Sequence, residues 1–297
     1  MNKQIPVEEF RSVRLVGIDL DGTLLKSDKS ISKETEQTLY DAKEAGIAMV
    51  PVTGRPLDGI PELLTRLGVF RYAITSNGAA VHDLENGELL AYEGLGAETA
   101  LQVYRAAPEL RIVREVMIGG RAYLDQEGYD LLIERWYDSV FRDYIETSKT
   151  AVPDMEELLR AKEPHFQNDA YHHGLAENLS FLTEVHEELV TLMDALEKIP
   201  GILVTVYNEI GCDVGSAASD KGLALMRLAS QLGIPEERVC AIGDSPNDLS
   251  MLKKARFACA VANACGLVRS AASYVTEDND HEGAANVLRL ILGQRKL

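Results

Sequence analysis

Positive charge is what this chain has least of. Its 297 residues carry 30 lysines and arginines against 47 aspartates and glutamates, a formal net charge of −17. Such a surface disfavours nucleic acid and anionic lipid as partners, so a site for an anionic substrate has to supply its own local cation. Long apolar runs are missing too: none approaches the ~18 residues of a membrane-spanning helix. Residues 1–13 lack the apolar stretch of a secretory leader, and a cytoplasmic location is expected. The four cysteines, Cys212, Cys240, Cys259 and Cys265, form no C-x-x-C pair, and the six histidines, His172-His173 among them, form no H-E-x-x-H. That argues against zinc chemistry, and Cys240, set in an apolar run, reads as a small buried hydrophobe.

What is present has a clear grammar. Apolar strands ending at Ile18 and Val52 and at residues 72–76 alternate with helices predicted at 32–46 and 57–67. Fully apolar strands alternating with helices give a parallel sheet covered on both faces. After Gly78 the pattern changes to short β-like segments around Asn86-Gly87 and Gly119-Gly120, both hairpin turn sequences. Helices predicted at 97–106, 129–139 and 187–198 and strands at 179–183, 202–207 and 212–214 complete a largely antiparallel α+β block. From Lys221 the first grammar returns, with strands at 239–243 and 257–262. The expected fold class is α/β, a Rossmann-like parallel-sheet core with an inserted α+β cap. The core is predicted at 1–82 and 215–297 and the cap at 83–214.

Four groups fall where strands end or helices begin. Asp19-Leu20-Asp21-Gly22-Thr23 follows the first strand. Asp and Gly also make ordinary turns, but two carboxylates at the exit of a buried strand suit a nucleophile and an acid/base facing one point over the sheet edge. Thr53-Gly54-Arg55 follows the second strand and offers a hydroxyl and an amide to a phosphate oxygen, or a plain helix start. Lys221 opens a helix, where the dipole disfavours a lysine unless it faces acids or phosphate. Gly243-Asp244-Ser245-Pro246-Asn247-Asp248 puts two more acids at a strand exit, of which Asp248 could serve as a helix cap. Several carboxylates sharing one pocket with a phosphate need compensation, which Lys221 and a Mg²⁺ ion would supply.

In this order the motifs resemble the haloacid dehalogenase superfamily of phosphohydrolases, and the second acid of D-x-D-G-T is similar to its phosphatase branch. Roughly 160 residues separate Arg55 from Lys221, room for a whole domain. That spacing, with Ser76-Asn77-Gly78-Ala79 and Met251-Leu252, resembles the Cof-type sugar-phosphatase subfamily. The resemblance implies Asp19 as nucleophile and Mg²⁺ ligand, Asp21 as acid/base with its main-chain carbonyl on Mg²⁺, and Asp244 as a further ligand. It implies Thr53, Gly54, Lys221 and Asn247 around the phosphate, with Asp248 supporting the metal shell. Asp21 has to hold a proton in the first step, so neighbouring carboxylates are expected to raise its pKa. Two segments depart from the subfamily pattern: Asp213 stands where glutamate is usual, and Ala260-Val261-Ala262-Asn263-Ala264 replaces Ala-Met-Gly-Asn-Ala.

The expected activity is Mg²⁺-dependent hydrolysis of a small phosphorylated metabolite through an aspartyl-phosphate. Sugar phosphates lead, with pyridoxal phosphate and nucleotide-derived monoesters behind. A sugar phosphomutase and a non-catalytic phosphometabolite sensor are the rival readings. Candidate substrate contacts are Arg55 and Asn77 in the core and Arg121, Tyr123, Trp136, His165 and Tyr207 in the cap.

Overall fold

The apolar segment before Asp19 forms β1 (Leu15–Ile18), with every residue buried. It pairs in parallel with β2 (Ala48–Pro51) on one side and β12 (Val239–Gly243) on the other. In a computed structural model describing residues 5–136, 142–160, 176–208 and 211–294, β13 (Phe257–Ala260) and β14 (Tyr274–Val275) extend this sheet in the order β14-β13-β12-β1-β2. All its pairings are parallel. Ile18 lies in register with both Ile242 and Pro51, so three chains leave the sheet side by side at one edge.

Helices cover both faces. The first, α1 (Lys33–Glu44), starts where Ser32 Oγ accepts a hydrogen bond from Thr35 N at 3.0 Å. Later come α8 (Lys221–Gln231), α9 (Leu249–Lys254), α10 (Gly266–Ala271) and α11 (Gly283–Leu292). The helix predicted at 57–67 is broken: a single 3-10 turn covers Leu57–Gly59 and α2 runs only over Glu62–Leu67. Pro61 forces Ile60 into an extended conformation, which stops the helix from running through.

β3 (Tyr72–Thr75) touches the parallel sheet through a bridge between Val52 and Ile74, then leads into an antiparallel sheet with β4 (Ala80–Asp83) and β5 (Glu88–Tyr92). Leu84, Leu90 and Ala91 still pack on the large apolar cluster of the parallel sheet. A second cluster begins at Leu95, so core packing continues past residue 83 because the β4–β5 hairpin grows directly out of β3.

The second large sheet has the order β10-β11-β9-β6-β7-β8. Its strands are β6 (Val113–Ile118), β7 (Arg121–Asp125), β8 (Lys149–Val152), β9 (Asn178–Leu182), β10 (Ile202–Asn208) and β11 (Gly211–Ser216). Pairing is antiparallel except between β7 and β8. One face, with Val116, Phe181, Cys212 and Val214, is sealed by residues of α3 (Ala97–Tyr104), α6 (Met155–Arg160) and α7 (His186–Leu196). On the opposite face, Val113 and Leu124 pack with α4 (Gln126–Trp136) and α5 (Arg142–Ser148). The rest of that face looks down onto the exit edge of the parallel sheet. Among the described residues no helix is long and apolar enough to cross a membrane.

Candidate active site

Asp19 is the first residue beyond β1, and its N–H still donates to Ile242 O at 3.0 Å. The ladder therefore fixes where its carboxylate points. Gly22 turns the chain with φ +78°, and a Cβ there would lie 2.8 Å from Asp244 Oδ2, so the close approach needs glycine. Thr23 Oγ1 donates to Asp244 Oδ1 at 2.9 Å, and Ser245 Oγ donates to Asp244 Oδ2 at 2.8 Å. The two acidic loops are thus tied together.

Lys221 is the first residue of α8, whose end Asp220 caps through Leu223 N. Its side chain is fully buried, with Nζ 2.6 Å from Asp19 Oδ1 and 2.7 Å from Asp248 Oδ1. Burial alone would depress this ammonium, but Asp19 and Asp248 outweigh it and hold it protonated above the ordinary lysine range. Asp248 Oδ2 accepts the N–H groups of Asp244 and Ser245 at 2.9 and 3.0 Å. Both Asp248 oxygens are therefore committed, and its part is to orient the loop and the lysine.

Asp19, Asp244 and Asp248 offer oxygens that all lie within 4.8 Å of one another. Three carboxylates face one ammonium here, and burial together with Asp248 raises the pKa of both Asp19 and Asp244. An oxygen-only donor set with excess negative charge fits a hard divalent cation such as Mg²⁺, which Asp19 and Asp244 would hold with the carboxylate lone pairs not spent on Lys221, Thr23 and Ser245. The Asp21 side chain is not part of this cluster.

Asp21 differs from expectation. Arg55 grips it with Nε–Oδ2 at 2.6 Å and Nη2–Oδ1 at 2.7 Å, and Lys29 Nζ adds a contact to Oδ1 at 2.8 Å. Burial raises its pKa, but Arg55 and Lys29 prevail and hold the carboxyl well below the usual range. The expected upward shift from neighbouring acids is thus reversed, because two cations reach this side chain and the acids surround Asp19 instead. Arg55 also donates to Gly59 O at 2.8 Å and stacks on the Tyr144 ring, 4.3 Å from its centroid.

Thr53 is buried, its main chain bonded to Ile74 O and to Asn77 N. Ser76, Asn77 and Gly78 form a left-handed run with φ of 49°, 57° and 101°. It projects the Asn77 amide between the loop after β12 and the cap strand β11: Asn247 Nδ2 donates to Asn77 Oδ1 at 3.0 Å, and Asn77 Nδ2 donates to Asp213 Oδ2 at 2.8 Å. Asn247 Oδ1 is buried with no partner among the described residues.

These groups share a cleft of about 490 Å³, with Asp19, Asp21, Thr53, Gly54, Arg55 and Asn247 on its core side. Lys221 and Asn77 stand at its back, lining an adjoining cavity. The structure does not bring Arg121 and Tyr123 to the cleft. Arg121 pairs with Ile118 in the sheet register and Tyr123 with Val116, which puts both on the helix-covered face. Tyr123 packs in the second apolar cluster, and Arg121 forms an ion pair with Asp58 at 3.0 Å. That pair lies beside two other ties between core and cap, Asp58 N to Gly120 O and Ser76 Oγ to the buried Glu177 carboxylate, which within the cap also accepts from Gly120 N. His165 and the side chains of Trp136 and Tyr207 lie outside the described residues.

The cap face of the cleft carries Glu115, Met117, Lys149, Ser180, Leu182 and Asp213, of which only Asp213 attracted notice in the sequence. For two of them the signal was there as alternation, Ser180 between Leu179 and Phe181 and Asp213 between Cys212 and Val214, whereas Glu115 follows the charged Arg114 and breaks the pattern. Lys29 and Tyr144, also at the cleft, sit in stretches with no motif.

A parallel α/β sheet with clustered acids at its exit edge and a second sheet roofing them is the architecture of a capped hydrolase. The chain belongs to the haloacid dehalogenase-like hydrolase family, whose profile matches residues 16–288. It is 32% identical over 295 residues to phosphatase YwpJ of Bacillus subtilis, with 94% of this chain and 100% of that protein covered. Pyridoxal phosphate phosphatase YbhA of Escherichia coli is 28% identical over 287 residues, covering 93% and 98%. A solved haloacid dehalogenase-like hydrolase from B. subtilis superposes with a TM-score of 0.80 at 30% identity, covering 93% of this chain and 99% of that one. The expected fold and family are met, and the protein is an enzyme of the phosphatase class.

Proposed function

We propose that the protein is a Mg²⁺-dependent phosphomonoesterase acting on a small phosphorylated metabolite, sugar phosphates first, through an aspartyl-phosphate on Asp19. The observation that carries this reading is Asp19 itself. It is held at the sheet exit by the buried Lys221, faces Asp244, and opens on a cleft walled by Thr53, Gly54 and Asn247. The inserted cap is taken to begin after the β4–β5 hairpin and to end near Gly215, and its inner face bounds the leaving-group side of the cleft.

In the first step an Asp19 oxygen bonds to phosphorus as the bond from phosphorus to the alcohol oxygen breaks. Asp21 delivers its proton to that oxygen. Water then attacks the aspartyl-phosphate and gives a proton to Asp21, and the break at the Asp19 oxygen returns the carboxylate and free phosphate. Asp19 and Asp244 would hold Mg²⁺, which would supply charge neutralisation and polarisation of the phosphoryl oxygen. Thr53, Gly54, Lys221 and Asn247 hold the phosphate, Asn247 through an N–H of the Nδ2 group that also donates to Asn77. Arg55 and Lys29 turn from Asp21 toward the entering dianion, and Asp21, no longer clamped, takes up a proton from solvent before the first step.

Phosphate release across a panel of phosphorylated metabolites, with Mg²⁺ and with a chelator, tests this. Mg²⁺-dependent release that vanishes in Asp19→Asn is the expected result. Residual turnover in that variant removes Asp19 as nucleophile, and isomerised sugar phosphate in place of free phosphate makes the enzyme a mutase.

A further inference from the structure

The inner face of the cap sheet holds a polar row. Asp213 is paired with Ser180 across β11 and β9, and Ser180 with Glu115 across β9 and β6. The three side chains therefore stand in line over the cleft, which all of them border. Their charges are unequally met. Glu115 is neutralised by Lys149, whose Nζ lies 2.7 Å from its Oε1 with both side chains almost wholly buried. Asp213 is bonded, among the described residues, by the neutral donors Asn77 and Ser180.

The cations bordering the cleft are already committed. Lys29 and Arg55 hold Asp21, and Lys149 holds Glu115. Both Arg55 and Lys29 thus stand on the core side of the cleft, bound to Asp21 and not to the roof. Above them Leu132, Ile145 and Leu182 border the same space. These apolar side chains exclude water and strengthen any charge–charge interaction at the roof.

Resting on the phosphatase reading, we infer that the leaving group lies against the row Asp213–Ser180–Glu115 and is selected by charge. Esters whose far end carries hydroxyl or amino groups are accepted, and esters with a second anionic group are rejected. A hydroxyl or ammonium donates to the Asp213 carboxylate. A carboxylate or second phosphate meets a like charge there, with Lys149 held by Glu115.

The test uses three alkyl phosphates of one length as competitors of p-nitrophenyl phosphate hydrolysis by the Mg²⁺-loaded enzyme. They are butane-1,4-diol monophosphate, 4-aminobutyl phosphate and 4-phosphooxybutanoate. Competition yields the relative affinity of each ester whether or not it is turned over quickly, and the phosphate end is identical in all three. The carboxylate ester is expected to compete at least about tenfold more weakly than the diol ester, and the amine ester at least as well as the diol. In Asp213→Asn the ratio of diol to carboxylate affinity is expected to shrink at least about threefold, since the amide keeps the shape and removes the charge.

Equal competition by all three esters overturns the inference and leaves the phosphatase reading standing. A gap that persists unchanged in Asp213→Asn removes Asp213 as its source and overturns the assignment to this row. Should Asp213→Asn fail to fold, the ranking of the three esters by the wild-type enzyme decides alone. No hydrolysis of p-nitrophenyl phosphate by the folded protein overturns the phosphatase reading, and this inference falls with it.

Discussion

Arg55 binds Asp21 through two parallel bonds, Nε to Oδ2 at 2.6 Å and Nη2 to Oδ1 at 2.7 Å, across 34 residues of sequence. The bidentate geometry is the strong form of this contact, and Tyr144 backs the guanidinium from the cap side. A residue expected to act as an acid is thus stored as a clamped anion, and the clamp reaches from the core loop to a helix of the cap.

The first prediction concerns that acid. Asp21→Asn is expected to slow release from alkyl phosphates by at least about 10²-fold. For p-nitrophenyl phosphate, whose leaving group departs without a proton, the loss should be smaller. Steady-state rates on the two ester types decide it, and equal losses on both would confine Asp21 to the water-activating step.

Lys221 is the compensating charge for three buried or half-buried acids. Lys221→Met leaves Asp19 and Asp248 unpaired, which is expected to cost about 3–5 kcal/mol of stability in the absence of divalent cation. Urea denaturation should show part of that loss restored by Mg²⁺. A variant as stable as the wild type without metal would contradict the ion-pair account.

Metal binding should be visible without any substrate. Asp19 and Asp244 present only oxygen to the site, so Mg²⁺ is expected to raise the thermal midpoint. At about 100 times its dissociation constant the gain is about 2.7 kcal/mol. Asp244→Asn should weaken the shift, and chelation should abolish phosphate release. No Mg²⁺-dependent change in the wild-type midpoint would count against this site.

Asp213 carries a pH signature. Burial pushes its carboxyl up to about 6, with Ser180 and Asn77 opposing, Glu115 adding to the rise and Lys221 opposing it. Because the folded pKa lies above the unfolded one, the folded state binds more protons between about pH 4 and 6, and this group's contribution to stability falls as pH rises through that window. Below it both states are protonated and the contribution is flat. Asp213→Asn is therefore expected to match the wild type near pH 4 and to exceed it by about 2 kcal/mol at pH 7. Urea titrations at both values check the slope, and a pH-independent difference would assign the effect to hydrogen bonding alone.

Much of the core was legible in one dimension. The strands ending at Ile18, Val52 and Gly243 are short, apolar and buried on both faces, and a parallel sheet lines up their exits. Acids placed directly after them therefore meet whatever the rest of the chain does. The cap was legible as a block but not in its orientation. Arg121 and Tyr123 looked like substrate contacts because they are polar or aromatic beside a Gly-Gly turn, yet their register with Ile118 and Val116 turns them to the helix-covered face. Shifting that register by one residue would have reversed the assignment. The helix predicted at 57–67 failed for a local reason that was readable, the proline at position 61.

By itself the sequence determined the chemistry of the strand exits: which acids, which lysine, which glycine turn, and in what order. Those follow from local composition and from the rule that parallel strands leave a sheet on one side. Only the tertiary structure decided the charge state of the site and which side chains roof it. Arg55 and Lys29 rather than other acids surround Asp21, Lys149 neutralises Glu115, and Asp213 is left facing the cleft between neutral donors. Each of these depends on pairings between distant segments, where a side chain's face is set by strand register and its pKa by which charge reaches it first. Neither quantity is carried by the residue's own neighbours in the chain.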